Sequence, residues 1–86
     1  MERQNDIRKE ILLQAYAARP LALTAERIQR DAKKAGYDYT LQEVKAELAF
    51  MCDNGLMVAM PDALGTAPMY RIHALGVTYY EQHYAA

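Results

Sequence analysis

Residues 40–57 read TLQEVKAELAFMCDNGLM, and the division of the whole chain follows from them. Thr40-Leu41-Gln42-Glu43 has the capping-box pattern: the Thr40 side chain accepts the Glu43 amide proton and the Glu43 side chain accepts that of Thr40. Two donors that a helix start leaves unsatisfied are thereby satisfied, so a helix is predicted to begin here. Leu41, Val44, Leu48 and Met51 follow at i, i+3, i+7 and i+10, the spacing of one helical face. Asn54-Gly55 stops the helix, since Gly takes the left-handed conformation beyond a C-terminus without steric cost. Leu56-Met57-Val58-Ala59-Met60 then reads as a short apolar strand.

On the N-terminal side, Ile7, Ile11, Leu12, Ala15 and Ala18 give a first helix from Asn5 to about Ala18, with Asn5 or Asp6 as its N-cap. Leu13 and Tyr16 widen its apolar stripe, which calls for cover from the core or from a second subunit. Pro20 cannot continue the helix, so Pro20 to Leu23 is expected to be a short extended piece. Thr24 caps a second helix through Ala25, Ile28, Ala32 and Ala35, ending at Gly36. On the C-terminal side, Pro61 to Pro68 is turn-rich and Met69 to Ile72 resumes as a strand, giving a two-stranded hairpin. A last helix from about Ala74 to Tyr84 places Val77, Tyr80 and Tyr84 on one side and Tyr79 and His83 on the next.

With 86 residues the chain is below the ~100–150 of a typical domain, so residues 1–86 are read as one domain. A 52% hydrophobic and 24% charged composition can bury a core and is unlike that of a disordered chain. The net charge of -1 supplies no bulk attraction to nucleic acid or anionic membrane, so any such binding needs a local patch. No apolar run approaches the ~20 residues that cross a bilayer. Cys52 is the one cysteine and no stretch resembles a signal peptide, so a cytoplasmic protein is expected.

Catalytic patterns are missing: there is no Ser-His-Asp set at a recognisable spacing, no Gly-rich phosphate loop and no paired-acid motif. Neither an enzyme nor a cofactor is expected. His73, His83 and Cys52 lack metal-ligand spacing; Cys52 is read as a small buried or half-buried side chain and His73 as a cap or an exposed residue.

The order helix, short strand, helix, helix, strand, strand, helix, with a Thr-capped third helix running into Gly55-Leu56-Met57, resembles a winged helix-turn-helix domain. Tyr70-Arg71-Ile72 resembles its returning wing strand, and Gly76 stands near the start of the last helix as it often does in that family. The resemblance covers nearly the whole chain, and its compactness is similar to small stand-alone regulators of phages and prophages. It implies a mainly α fold with a small β-hairpin: a three-helix core, a two-stranded wing and a C-terminal helix.

The resemblance also implies double-stranded DNA as partner, with helix two across the backbone, helix three in the major groove and the wing at the minor groove or phosphate. Its groove-facing positions here are Gln42, Glu43, Lys45, Ala46 and Ala49, with Thr40 at the helix start. Arg27, Arg30 and Lys34 recur at i, i+3, i+7 on helix two, beside Lys33, and form the one clustered positive stretch. A solvated face is the competing reading, through Glu26 with Arg30 at i, i+4 and Asp31 among the cations. Helix three itself is acidic, through Glu43 and Glu47 against Lys45, and residues 61–68 carry no Lys or Arg. Leu13, Tyr16, Tyr79 and Tyr80 are the residues expected to pair with a second copy in a homodimer. The rival role is capture of a protein partner by the apolar wing, Met60, Leu64 and Met69, and the Tyr-rich end.

Overall fold

Thr40 Oγ1 accepts the Glu43 amide at 3.1 Å, and a Glu43 carboxylate oxygen accepts the Thr40 amide at 3.0 Å. The capping box therefore forms, and it opens a helix over Leu41–Asp53. A computed structural model describes residues 2–61, 64–65 and 67–84. Among them run α1 (Glu2–Ala18), β1 (Leu23–Thr24), α2 (Ala25–Lys34), α3 (Leu41–Asp53), β2 (Met57–Met60), β3 (Met69–Ile72) and α4 (Ala74–His83). The architecture is mainly helical with a small antiparallel sheet in the order β1-β3-β2. No helix among the described residues is long and apolar enough to cross a membrane.

One expectation needs correction and another is extended. The first helix begins at Glu2, three residues before Asn5, so neither Asn5 nor Asp6 is its N-cap. The extra turn has no apolar residue to betray it in sequence; it is held by Arg3, which reaches Glu43 at 2.7 Å. The hairpin forms as expected, β2 against β3, but its sheet gains a third strand. Leu23 and Thr24 pair with Tyr70 and Met69, so β1 covers the free edge of β3. Leu23 is buried when it does so, which ties the extended piece after Pro20 to the core.

The core lies where α1, α2 and α3 meet one another and the sheet. Ile7, Ile11, Leu12 and Ala15 come from α1, Ile28 and Ala32 from α2, and Val44, Leu48 and Met51 from α3. Met57 and Ile72, opposite each other in β2 and β3, close it from the sheet side. Thr24 caps α2 by accepting the Arg27 amide at 3.1 Å, and Gly36 follows its C-terminus at a φ of 100°, which only Gly adopts readily. The turn into α3 is held by Gln29, whose side-chain amide donates to the Tyr39 carbonyl at 3.2 Å.

α4 is seated by a close approach of backbone to backbone. His73 caps it, with Nδ1 accepting the Leu75 amide at 3.4 Å, and the His73 amide donates to the Leu56 carbonyl at 3.0 Å. That carbonyl faces Gly76 so closely that a Cβ there would overlap its oxygen, with Ile72 Cγ1 only 2.9 Å away. Gly76 is therefore required by packing, since the Leu56 carbonyl is fixed by its own hydrogen bond and cannot retreat. Further along, the Tyr80 ring stacks on Tyr16 of α1 at 4.4 Å between centroids, and Val77 and Tyr84 pack on the core. Gly76→Ala is expected to lower stability by about 1–3 kcal/mol in urea denaturation, as overpacking of a fixed contact does.

Candidate nucleic-acid interface

α2 presents Arg27, Arg30 and Lys34 to solvent, all exposed, with Lys33 exposed beside them. Its buried residues Ala25, Ile28 and Ala32 occupy the opposite face and fix this orientation. Arg27 Nε lies 3.8 Å from Asp31 Oδ2, a loose i, i+4 contact. The Glu26–Arg30 pair that a solvated face would use does not form, and Arg30, Lys33 and Lys34 have no acidic partner among the described residues. Lys33 and Lys34 fall in the last turn, where cations also favour the helix C-terminus.

On α3, Val44, Leu48 and Met51 point into the core, leaving Gln42, Lys45, Ala46 and Ala49 exposed. Glu43, expected among the groove-facing positions, turns instead toward α1. Arg3 grips it with both arms of its fork, Nε to Oε2 at 2.7 Å and Nη2 to Oε1 at 3.0 Å, and lies 3.6 Å from Asp38 as well. Arg3, and then the Thr40 amide, hold the Glu43 carboxyl down to about 2, while the same contact pushes the Arg3 guanidinium up. One turn further, Arg8 Nε donates to Glu47 Oε1 at 2.6 Å, and its guanidinium lies over the Phe50 ring at 3.7 Å. Glu47 is only 7% exposed, so this pair is largely out of water. Both acids of α3 that precede its last turn are thus matched by arginines of α1. Sequence reasoning passed over Arg3 and Arg8, because their partners stand 40 and 39 residues away and no local spacing signals them.

Thr40 spends its oxygen on the cap, and its hydroxyl proton stays available to a further acceptor. In the β2–β3 hairpin, Met60 at the end of β2, Leu64 in the connection and Met69 at the start of β3 are exposed, Leu64 most of all at 86%. Asp62, Ala63 and Thr66, part of the cation-poor stretch expected to form the wing tip, lie outside the described residues. Arg71 on β3 is exposed and borders a shallow depression with Arg19, a second pair of cations that sequence reasoning did not single out.

The four residues expected at an interface between copies separate into two kinds. Tyr16 and Tyr80 stack on each other within the chain, and the Tyr16 hydroxyl donates to Glu81 at 2.7 Å. Leu13 and Tyr79 are 43% and 36% exposed and border different grooves, Leu13 with Tyr37 and Tyr39, Tyr79 with Phe50 and Tyr84. The Tyr79 groove, between α1, α3 and α4, encloses about 330 Å³. Its one cation, Arg8, is already matched by Glu47, so it directs no unmatched charge at a ligand. Cys52 is half-buried, and burial pushes its thiol up, away from the thiolate a nucleophile needs. No group of three or more His, Cys, Asp or Glu comes together among the described residues. No protein-family model matches the chain, and a search of curated proteins finds no match.

Two outcomes test this electrostatic arrangement. Because the Glu43 pKa is lowered in the folded state, its contribution to stability is fully present above about 4.5 and is lost as pH falls toward about 2. Urea denaturation between these limits is expected to show an acid loss that Glu43→Gln flattens. For the buried pair, Arg8→Met is expected to cost about 3–5 kcal/mol by stranding Glu47, and Arg8→Met with Glu47→Met to recover most of it.

Proposed function

We propose that the chain is a winged helix-turn-helix protein that binds double-stranded DNA, acting as a small transcription regulator of phage or bacterial type. α3 is the helix that enters the major groove, α2 lies across the backbone, and the β2–β3 hairpin is the wing. The observation that carries this reading is the removal of acid from the exposed part of α3. With Glu43 and Glu47 held by α1, the charges left unmatched on α2 and α3 are Arg30, Lys33, Lys34 and Lys45 against Glu26 and Asp53. A net acidic chain then offers a locally basic surface, which is what phosphate contact needs.

The chemistry assigns roles within that surface. Arg27, Arg30 and Lys34 neutralise phosphates and set the register, without reading sequence. Gln42 suits the adenine edge, Lys45 suits guanine, and Ala46 and Ala49 are small enough to let the helix lie deep and meet thymine methyl groups. Regulation is by occupancy. A dimer would set two α3 helices about one DNA turn apart, and of the four residues expected at its interface Leu13 and Tyr79 are the exposed ones. A monomer mass by light scattering at micromolar concentration would remove the dimer from this proposal.

A second reading has its own support in the exposure of Met60, Leu64 and Met69: the hairpin captures a protein partner and DNA is not bound. Fluorescence anisotropy of a labelled mixed-sequence duplex separates the two. Three or four phosphate contacts predict that log affinity falls with log salt at a slope of about -3 to -4 between ~50 and ~200 mM. Arg30→Glu with Lys34→Glu is expected to abolish binding while leaving the circular dichroism spectrum unchanged. Failure of the unaltered protein to bind at the lowest salt would leave the partner reading, for which Leu64→Asp is the disabling change.

A further inference from the structure

Arg3 stands at the start of α1, and no feature of the proposed DNA contact requires it. Its guanidinium is nevertheless committed in full geometry, both arms to Glu43, the side toward Asp38, and a face toward the Tyr39 ring at 5.3 Å. Glu43 cannot leave the first turn of α3, because the same carboxylate caps Thr40. Its charge therefore stays at the start of α3, beside Thr40, whether or not a cation matches it.

We infer that Arg3 is a positioning residue for DNA binding: it neutralises the capping carboxylate of α3 from the α1 side, so that the helix start can approach phosphate. The inference rests on the DNA-binding reading above. The capping box starts α3 in the right place but leaves an acid there, and the bidentate fork of Arg3 cancels that acid without occupying the exposed face. A lysine could supply the charge but not the paired contact to both oxygens. Arg8 serves Glu47 in the same way, but Glu47 is buried and that pair belongs first to the fold. Arg3 is the case in which charge masking can be separated from folding, because its side chain is half exposed.

The test is a double-mutant cycle read by anisotropy on the same mixed-sequence duplex. Gln also completes a capping box, so Glu43→Gln keeps the start of α3. Arg3→Gln is expected to weaken binding about tenfold at ~50 mM salt, because it leaves one uncompensated carboxylate beside the phosphates. Arg3→Gln with Glu43→Gln is expected to return the affinity to within about twofold of the unaltered protein. That rescue is the decisive readout: a structural strut would stay broken in the double variant, whereas a masked charge is gone. If Arg3 touches phosphate itself, Arg3→Gln lowers the salt slope by about 1 and Glu43→Gln does not rescue it, which overturns the inference and leaves the DNA reading intact. Unchanged affinity in Arg3→Gln overturns it equally. No binding by the unaltered protein at ~50 mM salt overturns both readings together.

Discussion

The Glu43 carboxylate is shared between two elements that lie 40 residues apart in sequence. It accepts the Thr40 amide, which starts α3, and it accepts two hydrogen bonds from Arg3, which brings the first turn of α1 against that start. The register of α3 against the core follows. Fixing where α3 begins fixes which of its residues are Val44, Leu48 and Met51 facing inward and which are Gln42, Lys45, Ala46 and Ala49 facing out. A slip of α3 by one residue against the core would rotate its side chains by about 100° and break both the core and the outward face.

Around that joint the remaining elements are positioned by close contacts of limited chemical variety. Gly76 lets α4 rest on the Leu56 carbonyl, which returns the chain from the hairpin onto the helices. Tyr80 on Tyr16 then fastens α4 to α1, and β1 closes the open edge of β3. Unpaired edges invite association with other chains, and here the strand before α2 covers the side of β3 away from β2. Several tyrosines of a Tyr-rich sequence are thereby used as joints, and the rings left most open, Tyr37 and Tyr79, border grooves.

Net charge is a poor guide to a surface when acids and bases are sorted by the fold. Counted along the helix, Glu43 and Glu47 make α3 acidic; counted by accessibility and pairing, they belong to α1 as much as to α3. On α2 and α3 the cations left unmatched are Arg30, Lys33, Lys34 and Lys45, and a charged ligand would respond to such a local field rather than to the sum. The same sorting weakens the Tyr79 groove as a ligand site, since its arginine is engaged before any ligand arrives.

Local chemistry was legible in the sequence wherever the signal spans a few residues. The capping box at Thr40, the Thr24 cap, the left-handed Gly36 and Gly55, and the paired strands around residues 57–60 and 69–72 all depend on spacings shorter than about a turn and a half. The start of α1 was not legible, because Glu2, Arg3 and Gln4 carry no apolar periodicity and are held by a residue on another helix. The short strand before α2 was legible, but its pairing was not: two residues are too few to show alternation, and their partner is chosen by burial of Leu23. The candidate surface divides the same way. Its cations could be read off as i, i+3, i+7 on α2, but whether α3 would present acid or neutral residues was decided by Arg3 and Arg8. Sequence by itself determined where α2 and α3 start and which faces are apolar, since hydrogen-bonding and hydrophobic periodicity act between near neighbours. Tertiary structure alone decided which charges remain unmatched, because pairing depends on distance in space and the partners are 39 and 40 residues apart.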